Sequence, residues 1–239
     1  MSSDSDSDLP PELRYSTEEV MRAKERNPGM FVSAWQADEE DIDYWSKKEL
    51  KKDSKKQFIL AGQKGDLATM QRILKTEVGE NLDEKKAELV EFLFAHDSDG
   101  YTALHRAVYS GQYDAAKFLL QLGAKTETHT ADGWRPLHSA AFWNQLACVQ
   151  LLLEAGADIT AVTSSGQTVL HLALANNQTP ETLVYLLAEI SANRDTMRLW
   201  NSRNSAGDTP VEMLLRSSPL APFLLHSFSP EATQLRPEQ

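Results

Sequence analysis

Apolar residues along this chain gather in clusters at helical spacing, and a glycine closes the two clearest of them. Phe118-Leu119-Leu120 is followed by Gly123, and Leu151-Leu152-Leu153 by Gly156. Ahead of each cluster stands a phrase that occurs three times: Asp99-Gly-Tyr-Thr-Ala-Leu-His-Arg-Ala, Asp132-Gly-Trp-Arg-Pro-Leu-His-Ser-Ala and Ser165-Gly-Gln-Thr-Val-Leu-His-Leu-Ala. Gly100, Gly133 and Gly166 stand 33 residues apart, as do His105, His138 and His171. A fixed interval of that length predicts a helical repeat rather than a catalytic motif. Within the phrase, Asp-Gly or Ser-Gly supplies a turn, threonine an N-cap, and Pro136 a first-turn proline, so a helix starts there.

Each unit then reads as a short helix, a stop at Gly111 or Asn144, and a second, leucine-rich helix. Small residues Ala107, Ala140 and Ala173 fall where two antiparallel helices must approach closely. One such unit cannot bury its leucines, whereas a stack buries them continuously. The fold class predicted is therefore all-α, a repeat solenoid with clear units at about 97–129, 130–162 and 163–196. In the third unit Pro180 sits between the helices, and Ser191 to Trp200 makes a connection longer than usual.

The flanks read as worn copies. Residues 57–77 align through Gly65 with Gly111 but lack the turn phrase, as a terminal cap should. An extra short helix is expected within Leu82 to Phe94. The last unit opens on Gly207-Asp-Thr-Pro210, carries Glu212 where the others carry histidine, and has Pro219 and Pro222 breaking its second helix. It is taken as the carboxy-terminal cap, so the repeat domain spans 57–228. Residues 1–37 are expected to be a disordered acidic tail, 38–56 one charged helix with acids first and lysines last, and 229–239 a frayed end.

Composition narrows the partners. The net charge of −11 and a pI near 5.0 argue against bulk nucleic-acid or anionic-membrane binding. The lone Cys148 precludes an internal disulfide framework and suits a reducing compartment; it is read as a small buried hydrophobe. No secretory signal and no membrane span is predicted, which places the protein in the nucleus and/or cytoplasm. Ser3, Ser5 and Ser7 each precede an aspartate and are candidate phosphorylation sites, against the plainer alternative of a solvating tail. Met30-Phe-Val-Ser-Ala-Trp35 is an apolar island in that tail. It either docks on the stack or serves as a linear motif for a partner, and the sequence supports both. The lysines between Lys47 and Lys56 form stripes at helical spacing, a nucleic-acid patch or, with acids close by and no interleaved aromatics, a solvated face.

At these residues the sequence resembles the ankyrin repeat, whose pattern has Gly-x-Thr-Pro-Leu-His-x-Ala-Ala and later Leu-Leu-x-x-Gly-Ala-Asp. Leu153-Glu-Ala-Gly156-Ala157-Asp158 matches closely, as do Pro136, Leu137 and His138. Departures are Ala103 and Val169 for the proline and Arg135 for the threonine, which predict weakened capping. Glu127 and Thr160 replace the asparagine that is hydroxylated in many such repeats, so that modification is not implied. The resemblance implies a stack whose hairpin tips and first helices form a concave protein-binding face. The wider layout, acidic tail included, resembles a subgroup described as non-enzymatic, nuclear or cytosolic, and regulating transcription.

The three histidines suggest zinc or hydrolase chemistry, but equivalent positions in successive layers lie about 10 Å apart, too far to share a metal whose ligands sit about 2 Å away. Gly62-Gln-Lys-Gly65 is too short for a phosphate loop. No catalytic residue, metal site or cofactor is predicted. Function is expected from surface instead: an adaptor, a monomer, binding a protein partner through Tyr101, Arg106, Tyr109, Trp134, Arg135, Phe142, Trp143 and Gln167. Aromatic and arginine side chains are the favoured anchors of interfaces. For Phe142 and Trp143 packing between repeats is the competing role, and for Trp134 packing along its own hairpin. On the surface reading, Trp134→Ala weakens capture without moving the melting temperature. The alternative function is a nucleic-acid- or chromatin-associated factor acting through the 47–56 lysines.

Overall fold

The computed structural model describes residues 45–81, 84–175 and 180–228. Helix α1 (Lys47–Lys52) leads into α2 (Ser54–Lys64) and α3 (Leu67–Glu77), the first two-helix layer. An extra helix, α4 (Lys86–Phe94), precedes the next layers: α5 (Ala103–Tyr109) with α6 (Tyr113–Gln121), α7 (Pro136–Phe142) with α8 (Leu146–Glu154), α9 (Val169–Ala175) with α10 (Glu181–Ala192). A 3-10 turn, Met197–Asn201, then connects to α11 (Pro210–Ser217) and α12 (Ala221–Phe228). Two parallel rows result. The inner row is α2, α5, α7, α9 and α11, each packed on the next, and the outer row is α3, α6, α8, α10 and α12.

The leucine pairs make the seams. Leu119, Leu152 and Leu186 are fully buried in one apolar cluster that runs from Phe58 to Leu224. Each buried leucine stabilises the fold by about 1.5–3 kcal/mol. Ala107 and Ala140 are also fully buried, where inner and outer helices approach. Cys148 lies in this core, and burial pushes its thiol up to about 11, so it behaves as the small hydrophobe expected.

Between layers the turn phrases form a row of hairpins. The Ala131 N–H donates to Asp99 O at 3.1 Å, Ser164 N–H to Asp132 O at 3.0 Å, and Ser205 N–H to Ser165 O at 2.9 Å. Gly133 shows why glycine is required: its φ is +77°, and a Cβ there would lie 2.7 Å from Ser164 N. Asn144 takes the same left-handed conformation at φ 54°, and its Oδ1 accepts from Thr182 N–H at 3.3 Å in the next layer.

The histidine column supplies the caps. In His105 the Nδ1 accepts the Thr102 N–H at 3.2 Å, and Nε2 meets Trp134 O at 3.1 Å. Since a backbone N–H can only donate and a carbonyl only accept, the proton resides on Nε2. His138 repeats this with Arg135 N–H and Ala161 O, and His171 with Thr168 N–H and Asp208 O, each contact 3.1 Å. Each imidazole thus caps its own helix and fastens it to the following layer. Where Arg135 replaces threonine the cap is halved as expected: the ring still accepts the N-cap amide, but the hydroxyl that accepts the N3 N–H from His105 and His171 in the neighbouring units is missing, and a guanidinium cannot accept in its place. At Glu212 the carboxylate accepts the Thr209 N–H at 2.9 Å, performing the same local task. It cannot donate onward, and among the described residues no further layer follows.

Two boundary expectations are corrected. The charged segment is not one helix: Asp53 ends α1 with extended backbone (φ −122°, ψ 100°) and recaps α2 by accepting from Lys55 and Lys56 N–H. Residues 38–44 of that segment lie outside the described residues, as do the 1–37 tail with Ser3, Ser5 and Ser7, and 229–239. Pro222 does not break the last helix but sits in its first turn, where a missing N–H costs nothing. The long connection after Ser191 is ordered by the 3-10 turn, which buries Leu199 and Trp200 between α10 and α11.

Candidate functional site

The inner-row helices project a second, smaller apolar cluster away from the seams. Trp134 on its hairpin, Phe142 at the end of α7 and Leu172 on α9 are buried together, with Trp143 partly buried against them. Their rings meet edge to face: Trp134 and Phe142 at 5.5 Å, Phe142 and Trp143 at 5.2 Å, Trp143 and Tyr109 at 4.7 Å. Such pairs contribute about 0.5–1.5 kcal/mol each beyond the area they bury. The result is a continuous aromatic floor across two layers, with Tyr109 and Trp143 at its accessible edge.

The expected contact residues therefore divide. Tyr109, Arg135 and Trp143 reach solvent, whereas Tyr101, Arg106, Trp134, Phe142 and Gln167 are buried. Arg106 is fully enclosed: its Nε and Nη2 donate to Asp97 Oδ2 at 2.8 and 2.6 Å, and the Tyr101 ring lies 4.5 Å over its guanidinium. It is a structural cation rather than a surface anchor. Asp97 Oδ1 meanwhile accepts the Tyr101 N–H at 2.8 Å, the task that Thr130 Oγ1 performs for Trp134 N–H one layer on. Gln167 is held by Asn204, whose Nδ2 donates to its Oε1 at 3.3 Å. Arg135 pairs with Glu127 at 3.1 Å and Asp158 at 3.6 Å, and hydrogen bonds from Thr160 hold the Asp158 carboxyl low.

Sequence reasoning missed Asp97 and Leu172. The 33-residue alignment holds the signal for the second, since Arg106, Ser139 and Leu172 share one column facing the inner side. Ser139 is fully buried there, its hydroxyl without a partner.

Elsewhere the chemistry is occupied. Both ring nitrogens of the three column histidines are engaged, and burial lowers His105 to about 3 and His138 to about 4. Among the described residues no group of three His, Cys, Asp or Glu could hold a metal, and no helix is long and apolar enough to cross a membrane. Of the lysine stripe, Lys55 pairs with Glu91 on α4 at 2.8 Å and Lys56 lies over the Trp45 ring at 5.1 Å. Lys48, Lys51 and Lys52 are exposed beside Glu49, which closes a capping box with Ser46.

A family model for ankyrin repeats in three copies matches residues 58–163 and 125–197. The chain belongs to the ankyrin repeat family. Ankyrin repeats generally mediate protein–protein interaction and form a non-enzymatic interaction fold. Among curated proteins it is similar to ankyrin repeat domain-containing protein 49 of Drosophila melanogaster, 34% identical over 100 residues, which is 40% of this chain and 39% of that one. The Mus musculus protein of the same name is 40% identical over 85 residues, 34% of this chain and 31% of that one. The matched stretch thus spans well under half the length of either relative. The family match also ends before the Thr209-Pro210 unit, so the histidine-to-glutamate cap lies beyond it.

Proposed function

We propose that this ankyrin stack is a non-catalytic adaptor, monomeric, that captures a protein partner on its inner face, with Trp143 and Tyr109 as anchors. The observation that carries this reading is an aromatic cluster set apart from the main core, whose edge residues remain within reach of solvent. Phe142, Trp134 and Leu172 support the anchors from below. A rigid aromatic platform loses little side-chain entropy on binding, which is why tryptophan and tyrosine dominate interface hot spots. Arg135, which follows Trp134 and reaches solvent, adds a charged group to the proposed contact.

The setting we infer is nuclear and/or cytoplasmic, with partner capture serving transcriptional regulation, on the strength of the layout resemblance drawn from the sequence. Proximity labelling in cells tests the adaptor reading, comparing the full chain with Tyr109→Ala/Trp143→Ala and with an outer-helix control, Gln121→Ala. Partners lost with the first and kept with the second, then rebound by purified wild-type protein, are the expected result. An identical partner set for all three chains would remove the inner face from the binding site. Binding to DNA that weakens steeply with salt and vanishes on neutralising Lys48, Lys51 and Lys52 would instead favour the lysine stripe.

A further inference from the structure

The apolar island Met30 to Trp35 stands outside the repeat pattern. Four of its six residues, Met30, Phe31, Val32 and Trp35, are large and apolar in a tail otherwise rich in serine, aspartate and glutamate. We propose that this island is a built-in occupant of the inner face, seated against Trp143 and Tyr109 and competing there with the partner. The inference rests on the reading of that face as the partner site.

Three observations support it. The described chain begins at Trp45, which packs against the main core and is held under Lys56, directly ahead of α1 and α2. Because α2 opens the inner row, the described chain starts beside the row to which the aromatic platform belongs. Reach is sufficient: the ten residues from Trp35 to Trp45 span up to about 33–36 Å when extended, while α7 lies two inner helices beyond α2, about 20 Å at usual packing distances. Finally, a tether of this length gives an effective concentration near millimolar, so even a weak contact is populated within one molecule. A second copy of the chain is the poorer occupant, since it would bring together two bodies of net charge −11.

The chemistry also defines the competitor. A surface that accepts Phe31 and Trp35 selects partner segments carrying aromatic side chains at similar spacing, with the tail setting the threshold they must exceed.

A fluorescent synthetic peptide of residues 28–37, titrated into full-length protein, tests this. The Phe31→Ser/Trp35→Ser chain is expected to bind the peptide at least ten-fold more tightly than wild type, because its own island no longer occupies the face. Adding Trp143→Ala to that chain should abolish binding, with Tyr109→Lys as a second variant should the first fail to fold. Equal affinity for wild type and the double variant, no binding to the double variant, or binding indifferent to both inner-face changes would overturn the proposal. So would a wild-type dimer in sedimentation that the double variant loses, since the island would then sit on a neighbouring copy. The two readings separate cleanly. Cellular capture that depends on Trp143 while the peptide fails to bind removes only the tail's role; peptide binding with capture indifferent to Trp143 removes the partner site and leaves the tail contact.

Discussion

The molecule contains two apolar clusters that use similar residues for different ends. The main one threads every layer, from Phe58 to Leu224, and is lined by aliphatic side chains between helices. The smaller one holds three aromatics and a leucine from two layers, meets a third at Tyr109, and borders solvent at Trp143. Aliphatic side chains interdigitate and specify a seam; aromatic rings set edge to face make a stiff surface that survives being half exposed. Stability and recognition are therefore separable in principle, and substitutions should show where the division runs.

The largest effect is expected at the enclosed pair of Asp97 and Arg106. Arg106→Ser leaves Asp97 charged and enclosed, and removing one partner of a buried pair costs about 3–5 kcal/mol. The next layer carries Thr130 and Ser139 at the equivalent positions, with no buried charge. Asp97→Thr/Arg106→Ser should consequently recover much of the loss in urea denaturation. A double variant no more stable than the single one would mean that the pair does more than fill its column. In the main cluster, Leu137→Ala should cost about 2–5 kcal/mol, as core truncations do. A melting curve matching wild type would contradict its place at 2% exposure.

Acid should act on the hairpin row rather than on either cluster. His105 and His138 are held neutral, at about 3 and about 4 against an ordinary 6.5, chiefly by burial. Below 6.5 the unfolded chain takes up protons that the folded chain refuses, so stability is complete above that value and falls as pH drops towards the folded values. Between pH 7.5 and 5.5 each histidine should remove about 1.4 kcal/mol, measured as a shift in the urea midpoint. A flat profile over that interval would show that these rings are not held neutral by the fold.

Much of the fold was legible because the repeat writes its geometry in single residues. Gly133 must be glycine, Pro136 must begin a helix, and the leucine pairs must face a neighbour. Less was legible where a residue's role depends on its column rather than its phrase. Arg106 reads as a surface arginine until Asp97, nine residues earlier in the same hairpin, is seen to enclose it. Trp134 reads as an interface anchor by type, yet its ring lies against Phe142 at 3% exposure. Asp53 was overlooked because an acid among acids and lysines looks like more of one charged helix, whereas its side chain caps the next one. Periodicity reports which residues repeat, and a residue that departs from its column acquires its role from neighbours the period does not name.

Trp143 then becomes the sharpest test of the division, with the smallest expected change in stability. It is only partly buried and touches Phe142 and Tyr109 by ring edges, so Trp143→Ala should lower stability by about 1–2 kcal/mol. Trp134→Ala, fully enclosed, should cost about 3 kcal/mol or more, contrary to the melting-neutral behaviour its type suggests. Capture should rank the other way. Losing Trp143 should weaken a purified partner by about 2 kcal/mol, close to thirty-fold, whereas the effect of Trp134 on capture should follow its loss of folded protein and vanish once affinities are referred to the folded fraction. If Trp134 weakened capture more than Trp143 after that correction, the buried ring would be part of the contact, and the aromatic floor would have to open for the partner.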